Sequence, residues 1–153
     1  MNQDSPAMNP IELLSFGLAG QAYAVDIMAV REIRGWVEPT ALPGTPDYVC
    51  GVINLRGTVL PILNLATRLG LEAHQVSDRS VVIVLTVASR TFGITVDAVS
   101  DILTVDPAAI QPPPDGVQEH SKGFVSALCL LDDQMIRLLS PDTLITQDGA
   151  LAA

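Results

Sequence analysis

Few side chains in this sequence are of a type and spacing that could do covalent or metal chemistry. Cys50 and Cys129 are its only cysteines, and His74 and His120 its only histidines. The thiols lack C-x-x-C spacing, and both histidines stand in polar, turn-like stretches, so neither a zinc set nor a Cys–His nucleophile pair is spelled out. Two lone thiols of this kind read as small core residues. Asp97 and Asp101 would share one face of a helical turn, but no histidine or further ligand accompanies them, and they read as a solvated face. Asp132-Asp133 reads as a turn, where Asp bonds its own backbone. The chain carries no nucleophile elbow, phosphate loop, H-E-x-x-H or calcium loop. The expectation is therefore a protein that is not an enzyme, with no catalytic residue, no metal and no cofactor; a hydrolase working from a barrel rim is the rival, and a pocket of convergent titratable groups would be its mark.

Recognition chemistry is better represented. In Gly51 to Gly57, GVINLRG, a strand runs to Asn54 and Gly57 suits the left-handed conformation of a tight turn. Arg56 is then expected at an exposed hairpin tip, where its planar guanidinium offers five donors to a carboxylate; a solvated turn arginine is the plainer reading. In Val30 to Gly35, VREIRG, strand alternation sends Val30, Glu32 and Arg34 one way and Arg31, Ile33 and Gly35 the other. Ile33 is expected to face the core, leaving Val30 beside Glu32 on the outer face.

The elements that must position these residues come in two copies. Residues 14–33 align with 83–102 at an offset of 69: Leu14 with Ile83, Phe16 with Leu85, Tyr23 with Phe92, Val30 with Val99, Glu32 with Asp101 and Ile33 with Ile102. Residues 52–63 align with 128–139 at an offset of 76. Each copy reads as strand, tight turn (Gly20-Gln21 or Ser89-Arg90), strand, at most a turn of helix, strand, and then a hairpin followed by a short amphipathic stretch. Pro112-Pro113-Pro114 cannot donate ladder hydrogen bonds and marks a connector. Five short strands per copy leave exposed edges unless the sheet closes into a small barrel. The expected fold is all-β: two tandem five-stranded barrels, residues 11–75 and 76–146, joined through Leu71 to Arg79, with disordered tails at 1–10 and 147–153.

Bulk composition narrows the partners. Apolar residues make up 48% of the chain and aromatics 4%, so the core must be built from Val, Ile and Leu, which favour strands. A net charge of −9 repels phosphate backbones and anionic membranes, which argues against nucleic acid and lipid. The first ten residues lack the apolar stretch of a secretory signal, and the longest apolar run, from Val81, is too short to span a bilayer. A cytoplasmic protein is expected.

Three segments together resemble a known family. VREIRG from Val30, GVINLRGTVLPIL from Gly51 and GITVDAVSDIL from Gly93, in this order and at these spacings, are similar to the CheW family over roughly residues 11–146. The resemblance implies two SH3-like barrels around a hydrophobic core, without catalytic activity. It implies an adaptor that binds the regulatory domain of the histidine kinase CheA and the cytoplasmic tip of methyl-accepting chemotaxis proteins, joining rings beneath receptor arrays that can include further copies of itself. Carried over to this sequence, the receptor contacts fall on Val30, Glu32, Gly51, Arg56 and Val99. Val30 and Val99 would pack on apolar helix positions, Gly51 would permit close approach, and Glu32 with Arg56 would form an ion pair or polar clamp. Val81 and Gly93 are the kinase-contact candidates. Asn64, Cys50 and Ser140-Pro141 depart from the usual pattern outside the three segments, which leaves open a paralogue serving a non-flagellar array such as one for type IV pili.

Overall fold

A computed structural model describes residues 9–71, 76–114 and 123–146. Both histidines, most of each expected tail and the middle of the expected joint lie outside the described residues. The strands are β1 (Ile11–Leu18), β2 (Gln21–Asp26), β3 (Val30–Gly35), β4 (Val49–Leu55), β5 (Thr58–Asn64), β6 (Val81–Val87), β7 (Arg90–Val96), β8 (Ala98–Val105), β9 (Ile110–Gln111), β10 (Val125–Leu131) and β11 (Gln134–Leu139). Two short helices, α1 (Leu65–Arg68) and α2 (Pro141–Thr146), follow β5 and β11. Among the described residues the chain is all-β apart from these and two 3-10 turns, as the residue pattern implied.

The two repeats are real, but they are not two tandem units. The strands form a six-stranded sheet of order β8-β1-β2-β11-β10-β9 and a five-stranded sheet of order β3-β6-β7-β5-β4. The first two strands of each repeat thus join the last strands of the other. The expected division into 11–75 and 76–146 is corrected accordingly: each sheet draws on both stretches. Equivalent pairings recur at both sites of exchange. Leu14 lies opposite Ile102 and Ile83 opposite Ile33. Parallel contacts join β2 to β11 and β5 to β7. The fifth strand's counterpart of β9 is a single bridge, Thr40 to Val52.

The reason lies in burial. β1 and β6 are apolar on both faces, so each must be covered twice. On one face Leu14, Phe16, Tyr23 and Val25 of the six-stranded sheet meet Leu63, Ile83, Leu85, Phe92 and Ile94 of the other in one shared core. On its far face each sheet curls around a core of its own. Ile53, Leu60, Ile62, Val82 and Val84 fill the five-stranded sheet, and Leu13, Ala24, Val105, Cys129 and Ile136 the six-stranded one. The chain crosses between sheets just after β2, where Asp26 caps a 3-10 turn over Ile27–Ala29 by accepting from Met28 N–H at 2.9 Å.

Hairpin turns sit one residue earlier than expected. Ala19 and Gly20 (φ 53° and 77°), and Ala88 and Ser89 (φ 52° and 69°), occupy them. Two consecutive left-handed residues give the turn twist that matches paired strands. Asp97 Oδ2 accepts from Ala19 N–H at 2.9 Å, tying the first turn to the start of β8. Asp97 and Asp101 therefore share no helical turn; Asp101 lies within β8. Cys129 is fully buried and Cys50 packs partly buried against the core of the five-stranded sheet, and burial raises the pKa of both thiols.

Candidate functional site

Arg56 occupies the tip of the β4–β5 hairpin. Its φ of 50° and that of Gly57, 89°, form the turn, and Asn54 Oδ1 accepts from Gly57 N–H at 2.8 Å. The Arg56 side chain is 65% exposed and its Nη2 reaches Glu32 Oε1 at 2.5 Å. Arg34, two residues along β3, approaches the other oxygen of the same carboxylate, with Nη1 to Oε2 at 3.2 Å. Two guanidinium groups, Arg56 first and Arg34 second, hold the Glu32 carboxyl below its usual pKa, and Glu32 in turn raises that of Arg56. Strand alternation puts Arg34 on the side of Glu32, yet it is not among the site residues expected from sequence.

A bulge re-aims β3. Val30 lies opposite Leu85, Glu32 opposite Val84 and Ile33 opposite Ile83, with the register shift between Val30 and Glu32. Directly opposed residues share a face, so the extra residue places Val30 on the shared-core side and Glu32 on the other. This corrects the simple alternation: Val30 packs half-buried against the shared core, whereas Ile33, expected inside, is 46% exposed. Edge strand β3 has no neighbour beyond it in the sheet to cover that side chain. Val99 holds the equivalent place on β8, opposite Phe16, and packs half-buried on the same shared core. The structure thus joins Glu32 to Arg56 directly and sets Val30 and Val99 at matching borders of one core.

Gly51 and Gly93 are not surface positions. Gly51 is buried with φ 149°, and a Cβ there would lie 2.3 Å from the carbonyl oxygen of Thr40. The close approach it permits is by the chain's own backbone, through the Thr40–Val52 bridge with bonds of 2.8 and 2.9 Å. Gly93 is buried too; a Cβ would stand 2.6 Å from Ile62 Cδ1 and 2.8 Å from Val82 Cγ1. Gly93 packs inside the five-stranded sheet. Val81 is half-buried at the start of β6, against the shared core. Exposed apolar residues that the sequence did not single out include Val37, Val59 and Met135. Among the described residues no group of three or more His, Cys, Asp or Glu could hold a metal ion, and no helix is long and apolar enough to cross a membrane.

The family model described as CheW-like domain matches residues 12–149. The chain belongs to the CheW-like domain family. Among CheW relatives, the chemotaxis protein CheW of Rhizobium meliloti (strain 1021) is 46% identical over 142 residues, covering 93% of this chain and 92% of that protein. The chemotaxis protein CheW of Klebsiella aerogenes is 34% identical, covering 90% and 82%. The crystal structure of the scaffolding protein TtCheW from Thermoanaerobacter tengcongensis superposes with a TM-score of 0.85 at 33% identity, over 92% of this chain and 95% of that one. The CheW fold therefore extends over nearly the whole chain.

Proposed function

We propose that this CheW-like chain is a non-catalytic adaptor that links the cytoplasmic tip of methyl-accepting chemotaxis receptors to the regulatory domain of a CheA-type histidine kinase. The observation that carries this is end-to-end likeness to proteins named for chemotaxis and scaffolding, at 46% identity in one case and a TM-score of 0.85 in another. The geometry fits the role. Val30 and Val99 offer half-buried apolar edges at equivalent borders of the shared core, and the Glu32–Arg56 pair, on the other face of β3 two residues from Val30, offers an oriented polar contact for a helix. Gly51 serves this surface indirectly, by keeping β4 close to Thr40. The kinase side is assigned to the exposed apolar residues Val37 and Val59, with Val81 at the rim. The protein works in the cytoplasm and reaches the membrane through its receptors.

The test is titration of the purified chain against a receptor-tip fragment and a kinase regulatory domain. Micromolar binding to each is expected, the strength of modest, exchangeable interfaces. Arg56→Asp is expected to weaken receptor binding while leaving the unfolding midpoint close to wild type, because a 65% exposed turn-tip side chain contributes little packing. Binding to neither fragment overturns the proposal.

A further inference from the structure

Three charges meet beside β3, and they are not equally free to leave. Glu32 gives one carboxylate oxygen to Arg56 and the other to Arg34. Arg56 stands on the β4–β5 turn with 65% of its side chain exposed, so water or a partner can replace Glu32 as its acceptor. Arg34 is only 34% exposed and lines a cleft with Val37, Val52, Ile53 and Val59. Its Nε is buried without a hydrogen-bond partner, and Glu32 is the only acceptor its guanidinium has among the described residues. Breaking that bond would leave a partly shielded cation with no acceptor, which is costly. The two bonds also differ in what they join. Arg34 and Glu32 belong to one strand, whereas β3 and β4 are the two end strands of their sheet and no ladder joins them. Arg34 is thus the fixed end of the cluster and Arg56 the exchangeable one.

The other repeat shows the two arginines going together. Asp101 stands at the place of Glu32, Leu103 at that of Arg34 and Asp132 at that of Arg56. With both arginines absent, Asp101 Oδ1 accepts from the adjacent Ile102 N–H at 2.9 Å. We propose that Arg34 is a positioning residue for the receptor contact: it keeps Glu32 paired, and so lets Arg56 turn from Glu32 to a carboxylate on the receptor-tip helix. This rests on the adaptor reading and adds to it the chemistry of the receptor group and a residue that acts without touching the receptor. Were Glu32 held by Arg56 alone, its release would leave one carboxylate unpaired beside the incoming one, and like charges at close range oppose binding. With Arg34 in place, Glu32 and Arg34 remain a neutral pair, and the exchange swaps one Arg56–carboxylate bond for another. An exposed pair such as Arg56–Glu32 is easily given up once neither side is left bare.

The experiment is a double-mutant cycle read by titration of the full chain with a receptor-tip fragment. Arg34→Leu copies the residue that the other repeat carries at the equivalent place, and Arg34→Gln removes the charge while keeping a polar side chain. Each should bind the fragment about tenfold more weakly than wild type. In Glu32→Gln, which has no carboxylate to keep paired, either replacement of Arg34 should change the affinity by less than about twofold. A merely structural role would lower affinity in both backgrounds, in step with the unfolding midpoint. A direct contact of Arg34 with the receptor would lower it in both without moving the midpoint. Either result overturns the proposal. Carbon-13 titration of the Glu32 carboxyl tests the same role on the chain alone. In Arg56→Gln its pKa should stay below 4.5 because Arg34 remains, and should return to that value only when Arg34 is replaced as well. A Glu32 that titrates normally in Arg56→Gln alone overturns the positioning role and leaves the adaptor reading standing, whereas a wild type that binds no receptor fragment overturns both.

Discussion

Arg68 and Leu144 hold the same position in the two repeats, and they meet. Arg68 Nε donates to the carbonyl oxygen of Leu144 at 2.8 Å. Its guanidinium lies 4.1 Å from the ring centroid of Tyr48 and 4.8 Å from that of Phe124, themselves an equivalent pair. One cation therefore serves both repeats where α1 and α2 come together, and it joins the helix that follows the five-stranded sheet to the one that follows the six-stranded sheet.

Arg68→Leu should destabilise the protein by about 2–3 kcal/mol, the sum of two partly desolvated cation–π contacts and a charged hydrogen bond that leaves a carbonyl unpaired. Arg68→Lys should fall between, because an ammonium cannot lie flat between two rings and donate sideways at once. Urea unfolding followed by circular dichroism measures both; a lysine variant as unstable as the leucine variant would show that the charge contributes nothing.

The two buried glycines should respond differently to alanine. At Gly51 the new Cβ meets a backbone oxygen at 2.3 Å and the φ of 149° disfavours any side chain. A loss of about 2–4 kcal/mol is expected, combining backbone strain with overpacking. At Gly93 the obstructing atoms are the ends of Ile62 and Val82, which can shift, so about 1–3 kcal/mol is expected. Any loss of receptor binding in Gly51→Ala should track the loss of folded protein at the assay temperature, which denaturant midpoints and binding isotherms on the same sample would compare.

Glu32 should make a small, pH-dependent contribution to stability. Its folded pKa is lowered from 4.5, chiefly by the hydrogen bond from Arg56 and then by that from Arg34. A lowered carboxylate pKa stabilises the fold above the unfolded value and ceases to do so as pH falls through the folded value. Wild type should therefore exceed Glu32→Gln by a constant margin near neutral pH, and the margin should shrink below about pH 4.3. Urea midpoints of both proteins along a pH series check this; a margin that grows on acidification would reverse the sign.

The sequence alone determined most of the local structure. Alternating and doubly apolar runs gave strands at the right places, the Arg56-Gly57 turn gave an exposed arginine, and the matched positions of Val30 with Val99 and Glu32 with Asp101 were visible before any coordinates. These are short-range properties, set by side-chain periodicity and by the few residues that tolerate left-handed backbone. Pairing was another matter. Because β3 and β8 are near copies, β1 has two local partners of similar pattern, and nothing near it in sequence says that it takes the strand from the other repeat. The interleaved arrangement buries both faces of β1 and β6 at once, one against the shared core and the other against each sheet's own core. The same limit hid the site's finer features. The bulge that sets Val30 and Glu32 on opposite faces of β3 and the approach of Thr40 that buries Gly51 depend on register or on neighbours distant in sequence, and so were decided by the tertiary structure.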